Sequence, residues 1–226
     1  MPEDKKLSRD GSQHVTDEKL NSVTHLAAGI FAVVGGALLV ATVVGQLDLW
    51  GIIGLAIYAL SLVTLFALST LHHSIDAGPT ANHVMRVLDY SAVFFLIAGT
   101  VTPLCLIGPR TTAAWVVLVA TWVLAAAGIA LRTSIRHLPK HYTNTMYICL
   151  GWLPVVLVLV EPHRFSPLVI ALLAAGGLCY SLGFVVYVRE RPNLVPGRFG
   201  FHELWHLFVI GGALLQYLAI YFYAFG

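Results

Sequence analysis

His202-Glu203-Leu204-Trp205-His206, followed by the almost wholly apolar run Leu207 to Ala224, holds the two themes of this chain side by side. The run is long enough for a buried or membrane helix. Its opening carries two histidines four residues apart. On a helix such a pair sits about 6 Å apart along the axis and about 40° apart around it, so both imidazoles can reach one metal ion. The plainer alternative is a pair of interfacial rings capping the helix in headgroup water. The rest of the chain bears on which reading holds.

Of the 226 residues 58% are hydrophobic and 11% charged, against about half and about a quarter in soluble domains. This predicts an all-α integral membrane protein. Apolar runs able to cross about 30 Å of hydrocarbon number seven: Asn21 to Gly45, Trp50 to Leu71, Val87 to Ile107, Ala113 to Leu131, Thr145 to Val160, Pro167 to Val188 and Glu203 to Phe225. The fifth is short and carries Pro154, which disturbs a helix interior. Mid-span glycines, Gly35, Gly36, Gly176, Gly177, Gly211 and Gly212, read as positions of close helix approach. Residues 1–17 are polar and read as a flexible tail, with residues 18–226 forming the seven-helix bundle. No cleavable signal peptide is expected. The formal net charge of +2 is too small and too dispersed for nucleic-acid binding. Cys105, Cys149 and Cys179 lie singly in apolar runs and read as packing residues.

Direction follows from the basic residues near the spans. Lys5, Lys6, Arg9, Lys19, Arg86, Arg132, Arg136, Lys140, Arg189, Arg191 and Arg198 fall on one side, and only Arg110 and Arg164 on the other. The N-terminus is thus expected in the cytoplasm and the C-terminus outside, in a multi-pass protein of the plasma membrane.

With direction assigned, polar residues gather at one depth. Span two ends in Ser69-Thr70-Leu71-His72-His73, span three begins with Asp89 in Leu-Asp-Tyr-Ser, and span seven begins with His202 and His206. An aspartate just inside a span needs a partner. Three imidazoles with an open fourth position make the catalytic type of zinc site, and His73, His202 and His206 are the expected ligands of a Zn2+ ion. His73 is preferred to His72 because Ser69 lies one turn before it on the same face; register alone leaves His72 open. Asp89 is expected as general base and Ser69 as a group that orients water or stabilises an oxyanion, although a serine in a span also commonly bonds back to its own helix. Glu18, Asn21 and His25 could hydrogen-bond the ligands or the backbone of span seven; they could equally be the polar start of a helix. His14, His83, His137, His141 and His163 read as surface residues.

These motifs, Glu18 with Asn21, Thr24 and His25, Ser69 with His73, Asp89 in Leu-Asp-Tyr-Ser, and His202, Trp205 and His206, resemble in order and position those of the progestin and adiponectin receptor family, within it the bacterial haemolysin III branch. The resemblance spans nearly all seven helices. It implies a seven-helix bundle with its N-terminus inside, zinc near the cytoplasmic face on the three matching histidines, and the matching aspartate beside the metal-bound water. Because the wider superfamily includes alkaline ceramidases, it implies a zinc-dependent hydrolase of a lipid amide or ester, connected with membrane lipid and fluidity homeostasis.

Three other readings compete. Zinc could be purely structural, which requires a closed fourth position. The chain could be a non-enzymatic lipid sensor, or a pore-forming haemolysin, although no continuous polar stripe crosses the outer halves of the spans. His202-Glu203-x-x-His206 also matches the zinc-protease pattern with Glu203 as base, but the third histidine and the aspartate then arise on other spans. A retinal protein is excluded, since all four lysines lie outside the spans.

Overall fold

The structure, a computed structural model, describes residues 12, 14–135 and 138–226. Eight helices follow in order: α1 (Glu18–Val43), α2 (Leu49–Ser74), α3 (Pro79–Leu106), α4 (Thr112–Ser134), α5 (Lys140–Trp152), α6 (Pro154–Val160), α7 (Pro167–Arg189) and α8 (Phe201–Phe225), with a short 3-10 turn at Pro162–Arg164. No strand occurs among the described residues. Seven spans are long and apolar enough to cross a membrane, α5 and α6 together making the fifth. The chain is a multi-pass helical membrane protein.

Four of the helices start where the sequence offers a side-chain partner for free N–H groups. Asp17, Asp48, Thr111 and Ser166 accept from the backbone N–H three residues on, at 3.0, 3.0, 3.2 and 3.3 Å. Such caps satisfy donors that the first turn leaves unpaired. Proline at the first position, where its missing N–H costs nothing, opens α3 at Pro79 and α7 at Pro167. Helix α3 therefore begins two turns before the expected Val87, carrying its polar first turns out of the apolar layer. The fifth span starts at His141 rather than Thr145 and breaks at Leu153. Pro154 cannot donate to Leu150, so the Leu150 carbonyl takes the Leu153 N–H instead, at 3.2 Å.

Consecutive helices pack antiparallel from α1 to α4, α7 pairs with α8, and α8 returns to lie against α1. Lipid is no less apolar than leucine, so close backbone approach rather than apolar burial holds such pairs together. A Cβ on Gly36 would lie 2.8 Å from the Ala59 Cβ, and one on Gly183 would overlap the Phe208 side chain. Gly177 departs from the packing expectation: a Cβ there would meet nothing within 4 Å, because it faces a cavity.

The face of the bundle away from the N-terminus is closed by Arg164, whose side chain is 3% exposed. It donates to Glu161 at 2.8 Å, to the Leu104 and Ile107 carbonyls at 3.1 and 2.9 Å, and to the Tyr223 hydroxyl at 3.0 Å. One guanidinium thus ties the ends of α3 and α8 to the turn after α6. The Arg164 hydrogen bond, then one from Thr111, holds the Glu161 carboxyl below its ordinary value.

The expected flexible tail falls mostly outside the described residues. At its described end Ser12 and Thr16 are buried, and the Ser12 hydroxyl donates to Glu190 just after α7, at 2.7 Å.

Candidate metal centre

Two helices deliver three histidines to one point on the N-terminal face. The last turn of α2 brings His73, and the first two turns of α8 bring His202 and His206. All three are buried. The Nε2 atoms of His73 and His202 are 3.4 Å apart, and those of His202 and His206 3.1 Å. Two nitrogens on a tetrahedral zinc at about 2.0–2.1 Å lie roughly 3.3–3.4 Å from each other. The spacing and the donor type fit a metal ion, and this cluster could hold one.

The tautomer of His73 is set from behind. Its Nδ1 lies 2.6 Å from a Glu18 carboxylate oxygen, and a carboxylate can only accept, so the proton sits on Nδ1 and Nε2 turns its lone pair to the cluster. Glu18 stands at the first position of α1 and also accepts from the Thr16 hydroxyl at 3.1 Å. His25, buried on α1, stacks on His206 with ring centres 3.8 Å apart and planes 22° apart. Its other neighbour is Phe66, edge-on at 5.2 Å.

Glu203 and Asn21 do a different job. One Glu203 oxygen accepts the Gly200 N–H at 2.8 Å. The other accepts the Asp17 N–H at 2.6 Å and the Asn21 side-chain amide at 3.3 Å. The carboxylate is buried and spent on joining the starts of α1 and α8, which removes the protease pattern's general base. The Asn21 side-chain amide meets Glu203, while its backbone faces His206 directly.

Asp89 on α3 meets the cluster from the side. A carboxylate oxygen of Asp89, a ring nitrogen of His72 and one of His73 lie within 4.8 Å of one another, a second grouping able to hold a metal ion. His72, left open by helix register as the alternative to His73, is fully buried. Adjacent positions on a helix point about 100° apart, so the His72-His73 pair serves two faces: His73 looks to α8 and α1, His72 to α3. The doubled histidine at a helix end was the available signal.

Ser69, Asp89, His25, His202 and His206 all stand on the wall of one cavity of about 400 Å³, within the range of small-molecule sites. It runs between α3, α5, α6, α7 and α8. Its α3 wall extends from Asp89 to Leu104, about 22 Å at 1.5 Å per residue. Most of it is apolar, lined by residues such as Val93, Leu96, Leu173 and Val209, and Gln216 stands near its deep end. The arrangement is a polar, metal-ready head on a long apolar chamber.

Fold and site together define a polytopic helical membrane protein with a buried histidine cluster. The sequence matches the family described as haemolysin-III related over residues 13–217, and the chain belongs to that family. It is 33% identical to "Hemolysin-3" of Bacillus cereus over 220 residues, covering 94% of each chain. It is 30% identical to "Hemolysin-3 homolog" of Bacillus subtilis (strain 168), covering 92% of this chain and 95% of that one. The human "Monocyte to macrophage differentiation factor", a member of the progestin and adiponectin receptor family, is also 30% identical, over 91% of this chain and 83% of its own.

Proposed function

We propose that the chain is a zinc-dependent membrane hydrolase that cleaves a lipid amide or ester, with its site at the cytoplasmic face. The observation that carries this reading is the convergence of three histidine Nε2 atoms at the head of an apolar cavity whose wall also holds Asp89 and Ser69. The cytoplasmic placement rests on the eleven basic residues that share the N-terminal side.

His73, His202 and His206 would hold the ion, which when bound supplies Lewis acidity toward a carbonyl oxygen and lowers the pKa of water to near 7. The chain's own groups do the rest. The apolar chamber takes the acyl chain and keeps bulk water from the reacting bond. Asp89 takes the proton of the attacking water and passes it to the departing amine or alcohol. The Ser69 hydroxyl donates to the oxygen on which charge develops. Glu18 keeps the His73 proton on Nδ1 throughout.

The test begins with metal content per chain in detergent-purified protein, wild type beside the double variant His202→Ala/His206→Ala. About one zinc per wild-type chain, lost in the variant, is expected. Release of fatty acid from lipid amides and esters should then follow in the wild type and fall at least a hundredfold in Asp89→Asn. A folded wild-type chain that binds no metal would overturn the mechanism; zinc and bound lipid with no turnover would turn the reading to a lipid sensor.

A further inference from the structure

The cavity's lining includes one basic residue, Arg132, and one acidic residue, Asp89. Arg132 stands in the last turn of α4, and Thr143 and Asn144 face the same cavity from the start of α5. The Arg132 guanidinium lies over the Tyr90 ring, 4.5 Å from its centre. The Tyr90 hydroxyl meets that of Tyr187 at 2.9 Å, and the Tyr187 ring is 6.1 Å from the ring of His202. The Tyr147 hydroxyl donates to the Tyr90 carbonyl at 2.6 Å and fixes that layer in place. An aromatic shelf therefore connects the cation to the histidine cluster.

Two polar groups here lack partners. Among the described residues no carboxylate lies within ion-pair distance of Arg132, and its Nε is buried without an acceptor. The Thr143 hydroxyl, on a residue 4% exposed, also has none. Native proteins seldom leave buried donors unmade, and each such group calls for an explanation. A guanidinium held over an aromatic face keeps its N–H donors free for an oxyanion, which its fork geometry suits. As it stands the wall's fixed charges cancel, and a divalent ion on the histidines would leave it positive.

We propose that Arg132, Thr143 and Asn144 form a phosphate-binding subsite at the head of the cavity, which selects lipids carrying a phosphate in the headgroup over neutral lipids. It rests on the reading of the chamber as a lipid site and narrows its substrate to phosphate-bearing esters or amides. Arg132 and Thr143 supply donors to the phosphate oxygens, and the acyl chain runs down the wall of α3. No bond is made or broken at this subsite.

The experiment uses the full chain in detergent. Trp152 and Trp205 stand on the cavity wall, so lipids with brominated acyl chains quench their fluorescence on binding. Brominated phosphatidylglycerol is compared with brominated diacylglycerol, and unlabelled glycerol phosphate is added as competitor. The wild type should prefer phosphatidylglycerol. Arg132→Gln should lose about tenfold of that preference, Arg132→Lys should keep part of it, and Thr143→Val, close in shape and safe for folding, should lose severalfold. An unchanged preference in Arg132→Gln or, should that variant not fold, in Thr143→Val would overturn the subsite. Glycerol phosphate competing as well as the lipid would overturn its assignment to a lipid headgroup. Turnover is not read: a wild type that binds with this preference yet hydrolyses nothing refutes the hydrolase and leaves the subsite standing.

Discussion

Replacing Glu18 by glutamine tests the site's construction without touching a ligand. The change keeps an acceptor 2.6 Å from the His73 Nδ1 but removes the negative charge that strengthens the bond and fixes the tautomer. Hydrogen bonds to charged groups contribute about 1.5–3 kcal/mol, and loss of such a partner behind a metal-binding histidine costs about 10–100-fold in metal affinity. The Glu18 side chain is 24% exposed, so solvent screens part of the effect and the expected loss is at the lower end, about 10–30-fold in zinc affinity. The assay is competition for zinc against a chromophoric chelator in detergent, at fixed pH, beside a thermal melt that separates weaker binding from loss of the helix start. His73→Ala supplies the lower limit. A Glu18→Gln chain that holds zinc as tightly as the wild type, with an unchanged melt, would refute the argument that this carboxylate orients the ligand.

Glu203→Gln should lower the unfolding free energy by about 2 kcal/mol, since a buried carboxylate with three donors loses its charge, while zinc stoichiometry stays at the wild-type level; loss of zinc from a folded variant would return Glu203 to the site. The Glu161 carboxyl titrates below its ordinary value in the folded chain, so its contribution is complete above the unfolded value, about 4.5, and is lost as pH falls through the lower folded one. Melting temperature measured from pH 3 to 7 should show a steeper acid limb in the wild type than in Glu161→Gln, and identical limbs would contradict the closing role of Arg164. Gly183→Val should destabilise by about 1–3 kcal/mol through overlap with Phe208. Gly177→Leu, by contrast, should leave the melt nearly unchanged and weaken lipid binding by filling the cavity.

The spans were legible because the membrane sets a length that an apolar run either has or lacks, and the break in the fifth was legible at Pro154. The early start of α3 was obscured by Asn82, His83 and Arg86, which lower the hydropathy of a segment that is helical all the same. The pairing of His202 with His206 is local, one turn of a helix, and so can be read directly. What joins them is long-range: the contact of Glu18 with His73 crosses 55 residues and that of Glu203 with Asp17 crosses 186. No periodicity carries such distances. The helix pattern around Glu203 reads as a zinc-protease motif, and only the Asp17 and Gly200 N–H groups, brought in by tertiary packing, show the carboxylate to be occupied elsewhere. The cavity was also hidden, since Leu173 and Val209 look the same in sequence whether they face a neighbour or a void.

The clasp between the starts of the first and last helices bears on biogenesis. At about 5–20 residues per second, a ribosome needs roughly 10–40 s to travel the 186 positions from Asp17 to Glu203. Through the later part of that interval Glu18 and His73 are both made while α8, which supplies two of the three histidines, is not. The three-histidine site can therefore form only once α8 is in place, and a nascent chain arrested before Phe201 should lack it, keeping at most the grouping of His72, His73 and Asp89.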